Sequence, residues 1–343
     1  MPLASQNGRG LSHMTNIRLH ARNALALLAA SAALITLSSC GGGHTSAEGT
    51  FDKTYAVDGP AHLQLSSGSG DAVITVGAPG AIHVHGEVSV SSWSSEGGQR
   101  RANELSANPP ISQQGNLLRI GESRGSMNNV SIDYTIEVPP DTELRASSGS
   151  GDLEVSGIKG PASINLGSGS AKASSIGSDV QIRTGSGDVE VENVAGQVTG
   201  NAGSGGMKFT NVKGAVRFET GSGDVEVANP GSTVEVNTGS GNVTVSNATA
   251  DVRANTSSGD VDLSGDPGGM NFWDVKTGSG NVTLGVSSSA SLRLYARSSS
   301  GDIESSLPIS MEGTTDKHEL RAKLGDGKAR VEVETSSGNI TLK

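Results

Sequence analysis

The chain has 343 residues, 49 of them Gly, with aromatics at only 3%, so a large globular core of Phe, Tyr and Trp is excluded; any interior must be thin layers of Val, Ile, Leu and Ala. A single cysteine excludes an internal disulfide. Residues 1–39 hold three arginines and no acids, leaving 22 Lys+Arg against 35 Asp+Glu from Cys40 onward; this formal charge of −13 disfavours nucleic acid and anionic lipid as partners.

The N-terminus reads as an export signal. Arg18 and Arg22 precede an apolar run over residues 24–37, too short to span a bilayer comfortably. The run ends in Leu37-Ser38-Ser39-Cys40, which resembles the lipobox of bacterial lipoproteins, in which the cysteine is lipidated and becomes the new N-terminus. The expectation is a signal peptide over residues 1–39, lipidation at Cys40 and attachment to the cell envelope through that lipid. Gly41 after the cysteine resembles lipoproteins passed to the outer membrane, given a Gram-negative host. Residues 40–50 are Gly-led and polar, the composition of a flexible tether.

Residues 51–145 hold strands with a loose period. Ala72-Val73-Ile74-Thr75-Val76 and Ile82-His83-Val84-His85 alternate, residues 94–106 predict a short helix ended by Asn108-Pro109-Pro110, and residues 130–138 predict a strand stopped by Pro139-Pro140. An uncapped first coil would expose a row of unpaired backbone groups, so this block is expected to cap the repetitive region C-terminal to it.

From residue 146 to 343 one phrase recurs. Its second glycine falls at Gly151, Gly169, Gly187, Gly205, Gly223, Gly241 and Gly259, a constant step of 18 in the numbering, and Gly70, Gly280, Gly301 and Gly338 carry the same signature at looser spacing. A fixed period of this size marks a solenoid. Each unit holds two short strands: Met207 and Phe209 alternate on one, Val216 and Phe218 on the other, with Val212 at a corner, and the next unit matches with Val225, Val227, Val234 and Val236. About five aliphatic side chains cannot offset the backbone ordering of one unit, so stability must come from stacking. The fold class is therefore all-β, a single-domain β-solenoid (β-helix) of about 18-residue coils. Glycine at the corner supplies positive φ, and the Asp or Asn after it is read as the next best residue for such a turn.

In chain order the position after that glycine reads Asp152, Ser170, Asp188, Gly206, Asp224, Asn242, Asp260, Asn281, Asp302 and Asn339. Two positions later it reads Glu154, Lys172, Glu190, Lys208, Glu226, Thr244, Asp262, Thr283, Glu304 and Thr341. Acid never follows acid. Stacked about 4.8 Å apart, like charges would repel, so the alternation favours one unit per coil over two units per turn.

Chemistry is sparse. The corners resemble calcium-binding nonapeptide rolls, but the phrase is shorter and comes only once per unit, and Ser170 and Gly206 offer no carboxylate. No helix is expected after any GxG phrase, against a dinucleotide loop. His83 and His85 project to one strand face without a third ligand in the pattern, and His318 sits in a polar insert over residues 314–323 without a nameable partner. Trp93 and Trp273 are either sugar-stacking platforms or packing residues where the repeat breaks. No catalytic, cofactor-binding or metal residue is assigned, no cofactor is expected, and an enzyme is not expected.

Asp133-Tyr134-Thr135-Ile136-Glu137-Val138-Pro139, then Ser148-Gly149-Ser150-Gly151-Asp152-Leu153-Glu154-Val155, the later repeats and the closing Ser337-Gly338-Asn339-Ile340-Thr341-Leu342 resemble the bacterial putative-adhesin β-strand repeat family, a domain of unknown function. The resemblance implies a β-helical body at the cell envelope and supplies no catalytic residue. The expected function is a lipid-anchored envelope scaffold with a protein or glycan surface partner and no nucleic acid. The alternative is a polysaccharide-binding or polysaccharide-cleaving β-helix, for which Lys172, Lys208, Arg183 and Arg217 are the nearby basic residues. An envelope-stress sensor component is a third possibility.

Overall fold

The structure, a computed structural model, describes residues 45–121, 127–312 and 316–343. Cys40, the signal segment 1–39 and the start of the expected tether lie outside the described residues. Among the described residues the strands form two sheets, sheet I of 14 strands and sheet II of 15. Each regular coil gives one strand to each sheet, and the alternating apolar side chains of both face a shared interior, as period-two geometry requires.

The pairing fixes one unit per coil. Val189 stands beside Met207 and Met207 beside Val225 in sheet I. Val198 stands beside Val216 and Val216 beside Val234 in sheet II. Residues one repeat apart are vertical neighbours in parallel register, so the core is a stack of Val, Ile, Leu and Ala layers. Bulk in one layer is matched by its loss in the next: Phe209 and Phe218 meet across the interior with ring centroids 5.1 Å apart, and the facing position on the preceding strand is Gly200. A Cβ on Gly200 would come within 2.9 Å of Cε2 of Phe218 and 2.0 Å of the Ile182 carbonyl oxygen.

The two glycines of the corner phrase differ in strictness. From Gly151 to Gly259 the second has positive φ, 138° at Gly223, and a Cβ there would lie 1.8 Å from the Gly205 carbonyl oxygen one coil below; Gly280, Gly301 and Gly338 lack the positive φ but keep the close approach to a carbonyl oxygen, at 1.9 Å. No other residue fits. The first glycine, as at Gly239, is less demanding, because Ser257 occupies the same column one coil on.

The aspartates and asparagines after these glycines do something other than the turn role expected of them. They are absent from the positive-φ residues. Instead, wherever a further coil follows, the side-chain oxygen accepts a hydrogen bond from the backbone N–H of the equivalent residue on it: Ser170 to Asp152 at 2.7 Å, Gly206 to Asp188 at 2.7 Å, Asn242 to Asp224 at 2.7 Å and Asp260 to Asn242 at 2.9 Å. Ser170 and Gly206 interrupt this ladder because neither carries a carbonyl oxygen. Apart from Asn129, the left-handed non-glycine residues among the described residues sit at a second corner: Ser175, Asn193, Asn211, Asn229 and Asn247, with φ between 53° and 57°. The asparagine amides form their own ladder, each Nδ2 donating to the Oδ1 below at 3.0, 3.0 and 2.8 Å. Asn suits both demands, since it tolerates the left-handed region and stacks a donor on an acceptor.

The ends depart from the period. Thr45–Ala56 is a strand paired antiparallel over its whole length with Ala81–Ser92, so residues 45–50 of the expected tether belong to the body. The strand is held there by Ala47 and Phe51, which are buried, the latter edge-on to Tyr134. The expected helix is Ser95–Ala107, capped by Ser94, whose Oγ accepts from the Gly97 N–H, and it covers the end of the body with Gly98, Ala102 and Leu105. Within residues 51–145, strands His62–Ser69 and Ala72–Val76 form an ordinary coil stacked on the coil of Glu143–Ser150 and Leu153–Ser156.

The chain also finishes out of order. Ala329–Ser337 lies between Phe272–Ser279 and Leu292–Ser298 in sheet II, and Ile340–Leu342 lies between Val282–Val286 and Ile303–Ser305 in sheet I. The last coil of the sequence is thus interior to the stack. The chain-order alternation of acids does not carry over to the stacking order at either end. Asp71 donates its N–H to Asp133, within the strand Val130–Val138, and Asp152 donates to Asp71, both at 2.8 Å, so three acids are consecutive at the N-terminal end, while at the other end Thr283, Thr341 and Glu304 adjoin in that order.

Candidate interaction surface

The outer face of sheet I is acidic. Glu154, Glu190, Glu226, Asp262 and Glu304 project outward beside the corner aspartates, opposed by Lys172 and Lys208. Lys172 stands between Glu154 and Glu190 in register and approaches Glu190 at 3.7 Å. Both groups are about half exposed, so the pair contributes little stability and acts by forbidding a like-charged register. Between the corner column and the column two residues on runs a shallow groove of about 650 Å³, walled by Asp188, Glu190, Lys208, Asp224, Glu226 and Asp262.

Sheet II carries mixed charge joined along the stack. Arg217 reaches Glu235 at 3.6 Å, Arg253 reaches Glu235 at 3.8 Å and Asp274 at 3.7 Å, and Lys276 reaches Asp274 at 3.3 Å and Glu334 at 3.9 Å. Asp274 is the buried member of this chain at 8% exposure, and its cationic neighbours offset the cost of enclosing a carboxylate. A second groove, about 340 Å³, is lined by Arg183, Arg217, Thr199, Asn201, Glu219 and Glu235. Arg183 and Arg217, picked out in the sequence, do share it; Lys172 and Lys208 lie on the other sheet.

The histidines have partners of their own. His85 Nδ1 lies 2.8 Å from Asp52 and its Nε2 3.7 Å from Glu87, and the hydrogen bond to Asp52, opposed by partial burial and helped by the charges of both acids, raises its pKa above the ordinary histidine value. His83 Nδ1 shares a hydrogen bond with Thr54 Oγ1 at 2.9 Å, and His318 Nδ1 meets the Gly301 carbonyl oxygen at 2.8 Å. Among the described residues no three His, Cys, Asp or Glu side chains converge as a metal ion would require. Trp273 is a packing residue, fully buried with its indole N–H donated to the Ala250 carbonyl, whereas Trp93 is 78% exposed. Among the described residues no helix is long and apolar enough to cross a membrane.

The features missed from sequence are the two ladders. Asn193, Asn211, Asn229 and Asn247 recur at the same step as the corner glycines, a signal just as regular, though without a hydropathy contrast to draw attention to it. The arrangement as a whole offers long, flat, repeating faces with shallow grooves.

Among curated proteins no sequence relative matches the chain. Solved structures with a similar course include a "putative cell adhesion protein" from Clostridium sporogenes, 15% identical, covering 86% of this chain and 99% of that one at a TM-score of 0.23. A "putative adhesin" from Bacteroides fragilis is 13% identical, covering 86% and 97% at 0.35, and a "putative lipid binding protein" from Parabacteroides distasonis is 10% identical, covering 86% and 97% at 0.37. Likeness at these scores carries no functional argument. The sequence profile of Toastrack DUF4097 matches residues 86–343, the greater part of the chain and of the paired stack. The chain belongs to the Toastrack DUF4097 family.

Proposed function

We propose that the protein is a lipid-anchored cell-envelope scaffold that works by presenting an extended strand surface for adhesive or regulatory contact, without catalysis. The observation that carries this reading is the stack itself: residues one repeat apart are vertical neighbours, so each face offers the same groups many times at the spacing of a β-ladder. Such a face suits an extended partner that makes many weak contacts. The Arg18–Arg22 charge, the apolar run and Cys40 support export and lipidation, and the outer membrane of a Gram-negative host is the destination that Gly41 favours. The test is labelling with a fatty-acid analogue in cells: incorporation into the chain, lost in Cys40→Ser together with envelope retention, is expected. Equal incorporation in the variant would refute the anchor.

A second reading, polysaccharide binding, rests on the groove of Arg183, Arg217, Glu219 and Glu235. A glycan array with the purified chain separates the two. Selective binding lost in Arg183→Gln and Arg217→Gln supports the second reading, and absence of glycan binding leaves the protein-contact scaffold.

A further inference from the structure

Sheet II ends, opposite to the helix-capped end, in the strands Phe272–Ser279, Ala329–Ser337, Leu292–Ser298, Glu319–Leu324 and Ser310–Met311, in that order. Three outward rows run across these strands. One is Lys276, Glu334, Arg297, Glu319, in which charges alternate throughout. The next is Asp274, Glu332, Tyr295, Arg321. The third is Phe272, Arg330, Arg293, Lys323, three cations side by side. Like charges directly opposite on neighbouring strands are destabilising, and the rest of the regular stack avoids opposing cations.

Two of the three cations are not neutralised from within. Arg330 pairs with Glu332 along its own strand, but Arg293 and Lys323 have no ion pair among the described residues. The chain makes room for their stems: a Cβ on Gly327 would meet Cε of Lys323 at 2.9 Å and Cγ of Arg293 at 3.1 Å. Beside them opens a cavity of about 590 Å³ walled by Arg293, Tyr295, Arg321, Lys328 and Arg330, with Glu312 and Glu332 as its acids. The Arg321 guanidinium lies 5.2 Å from the centre of the Tyr295 ring, which keeps a second cation at the wall. In a chain of strong negative charge this is a concentrated positive site, larger than a bare ion needs and of the size that holds a small ligand.

We propose that this cavity binds a small ligand bearing an oxyanion, phosphate or carboxylate, with Arg293, Lys328 and Arg330 as the anion-recognising groups on its wall. Guanidinium forks match either oxyanion, and the ammonium adds a point charge. The proposal stands on strand register in the folded body and needs no lipid anchor, so failure of either reading leaves the other intact.

The test is titration of the full chain, purified in detergent, with glucose 6-phosphate, glucuronate and glucose as separate probes, followed by calorimetry. Binding of the phosphate or the carboxylate probe, with glucose inert, is expected, and whichever anion binds identifies the source. Arg293→Gln and Lys328→Gln should each weaken it at least tenfold, whereas Arg145→Gln, an exposed arginine in the strand Glu143–Ser150 of the same sheet, should leave it unchanged. The unliganded Arg293→Gln protein should melt no lower than the parent, because a like-charge contact has been removed. Failure of both anionic probes, equal binding of glucose, indifference to Arg293→Gln and Lys328→Gln, or a lowered melting temperature in unliganded Arg293→Gln would each overturn the proposal.

Discussion

The middle of the stack and its C-terminal end are built from the same phrase, yet the middle is assembled in chain order and the end is not. Between Leu153 and Gly265 each new coil lies on the previous one. At the end, Ala329–Ser337 and Ile340–Leu342 enter between coils already laid down. A period therefore reports what a coil looks like, and only the order of addition says where it goes. The contrast breaks most sharply under deletion. Removing residues 225–242 joins Asp224 to Val243 and brings Met207 into register with Val243, so the stack should close up with a melting temperature only a few degrees lower, as nearest-neighbour repeat energetics predict. Removing residues 329–343, a shorter segment, leaves strands unpaired on both sheets. It should cost far more and open residues 272–312 to limited proteolysis. If both deletions melt alike, the inserted coil is an ordinary terminal repeat.

Within the regular coils the sharper comparison is between the two glycines of the corner. Gly223→Ala sets a side chain against the Gly205 carbonyl in a backbone region that disfavours it, and should destabilise by roughly 3 kcal/mol or more. Gly239→Ser copies what Ser257 already does one coil away; its Cβ would come within 2.6 Å of the Gly221 carbonyl oxygen, so the backbone must shift, but with no positive φ it should cost clearly less than Gly223→Ala. Chemical denaturation of both variants decides it. Equal losses would mean that φ and the close approach are not what fixes the second glycine.

The ladders sit next in size. Asn229→Gly keeps the left-handed backbone but removes one donated and one accepted amide bond, whereas Asn229→Ala adds strain to the same loss, so Ala should be the worse by about 1 kcal/mol. Asp224→Asn should hold the bond from the Asn242 N–H, and Asp224→Ala should lose it at a cost of about 1 kcal/mol. Identical denaturation midpoints for Asp224→Asn and Asp224→Ala would remove the ladder from the account of stability.

Legibility in the sequence divides along the same line. The coil, its two strands and the vertical register of Val189, Met207 and Val225 can be read because period-two hydropathy and a fixed repeat report local geometry directly. The helix is legible from its proline stop. The strand Thr45–Ala56 is not, because its buried contacts, Ala47 and Phe51, are sparse in a polar stretch and its partner lies far along the chain. Nor is the cationic row: Arg293, Lys323 and Arg330 are scattered in sequence, Lys323 meeting Arg293 through an antiparallel pair and Arg330 reaching it only through the out-of-order coil. The corner aspartates are conspicuous in the sequence, yet their acceptor role needs the N–H of the next coil, which no local pattern supplies.

The smallest effect separates the cap from the regular coils by pH. His85 joins Asp52 across the strand pair that takes residues 45–50 out of the expected tether, and its pKa is raised chiefly by that hydrogen bond. A raised folded value means that the protonated ring is favoured in the native state. The stabilisation is then fully present below the unfolded pKa of about 6.5 and is lost as pH climbs through the folded value. The side chain is partly exposed, so the pair is screened and its contribution is minor. Hydrogen exchange of residues 45–56 and 81–92 should accordingly quicken between pH 6 and pH 8, after correction for intrinsic rates, while residues 207–240, whose coils hold no histidine, keep constant protection. His85→Gln should flatten the first trend and leave the second untouched. A slope that survives the substitution would assign the pH response to a different group and release the Asp52 contact from any role in holding the N-terminal strand.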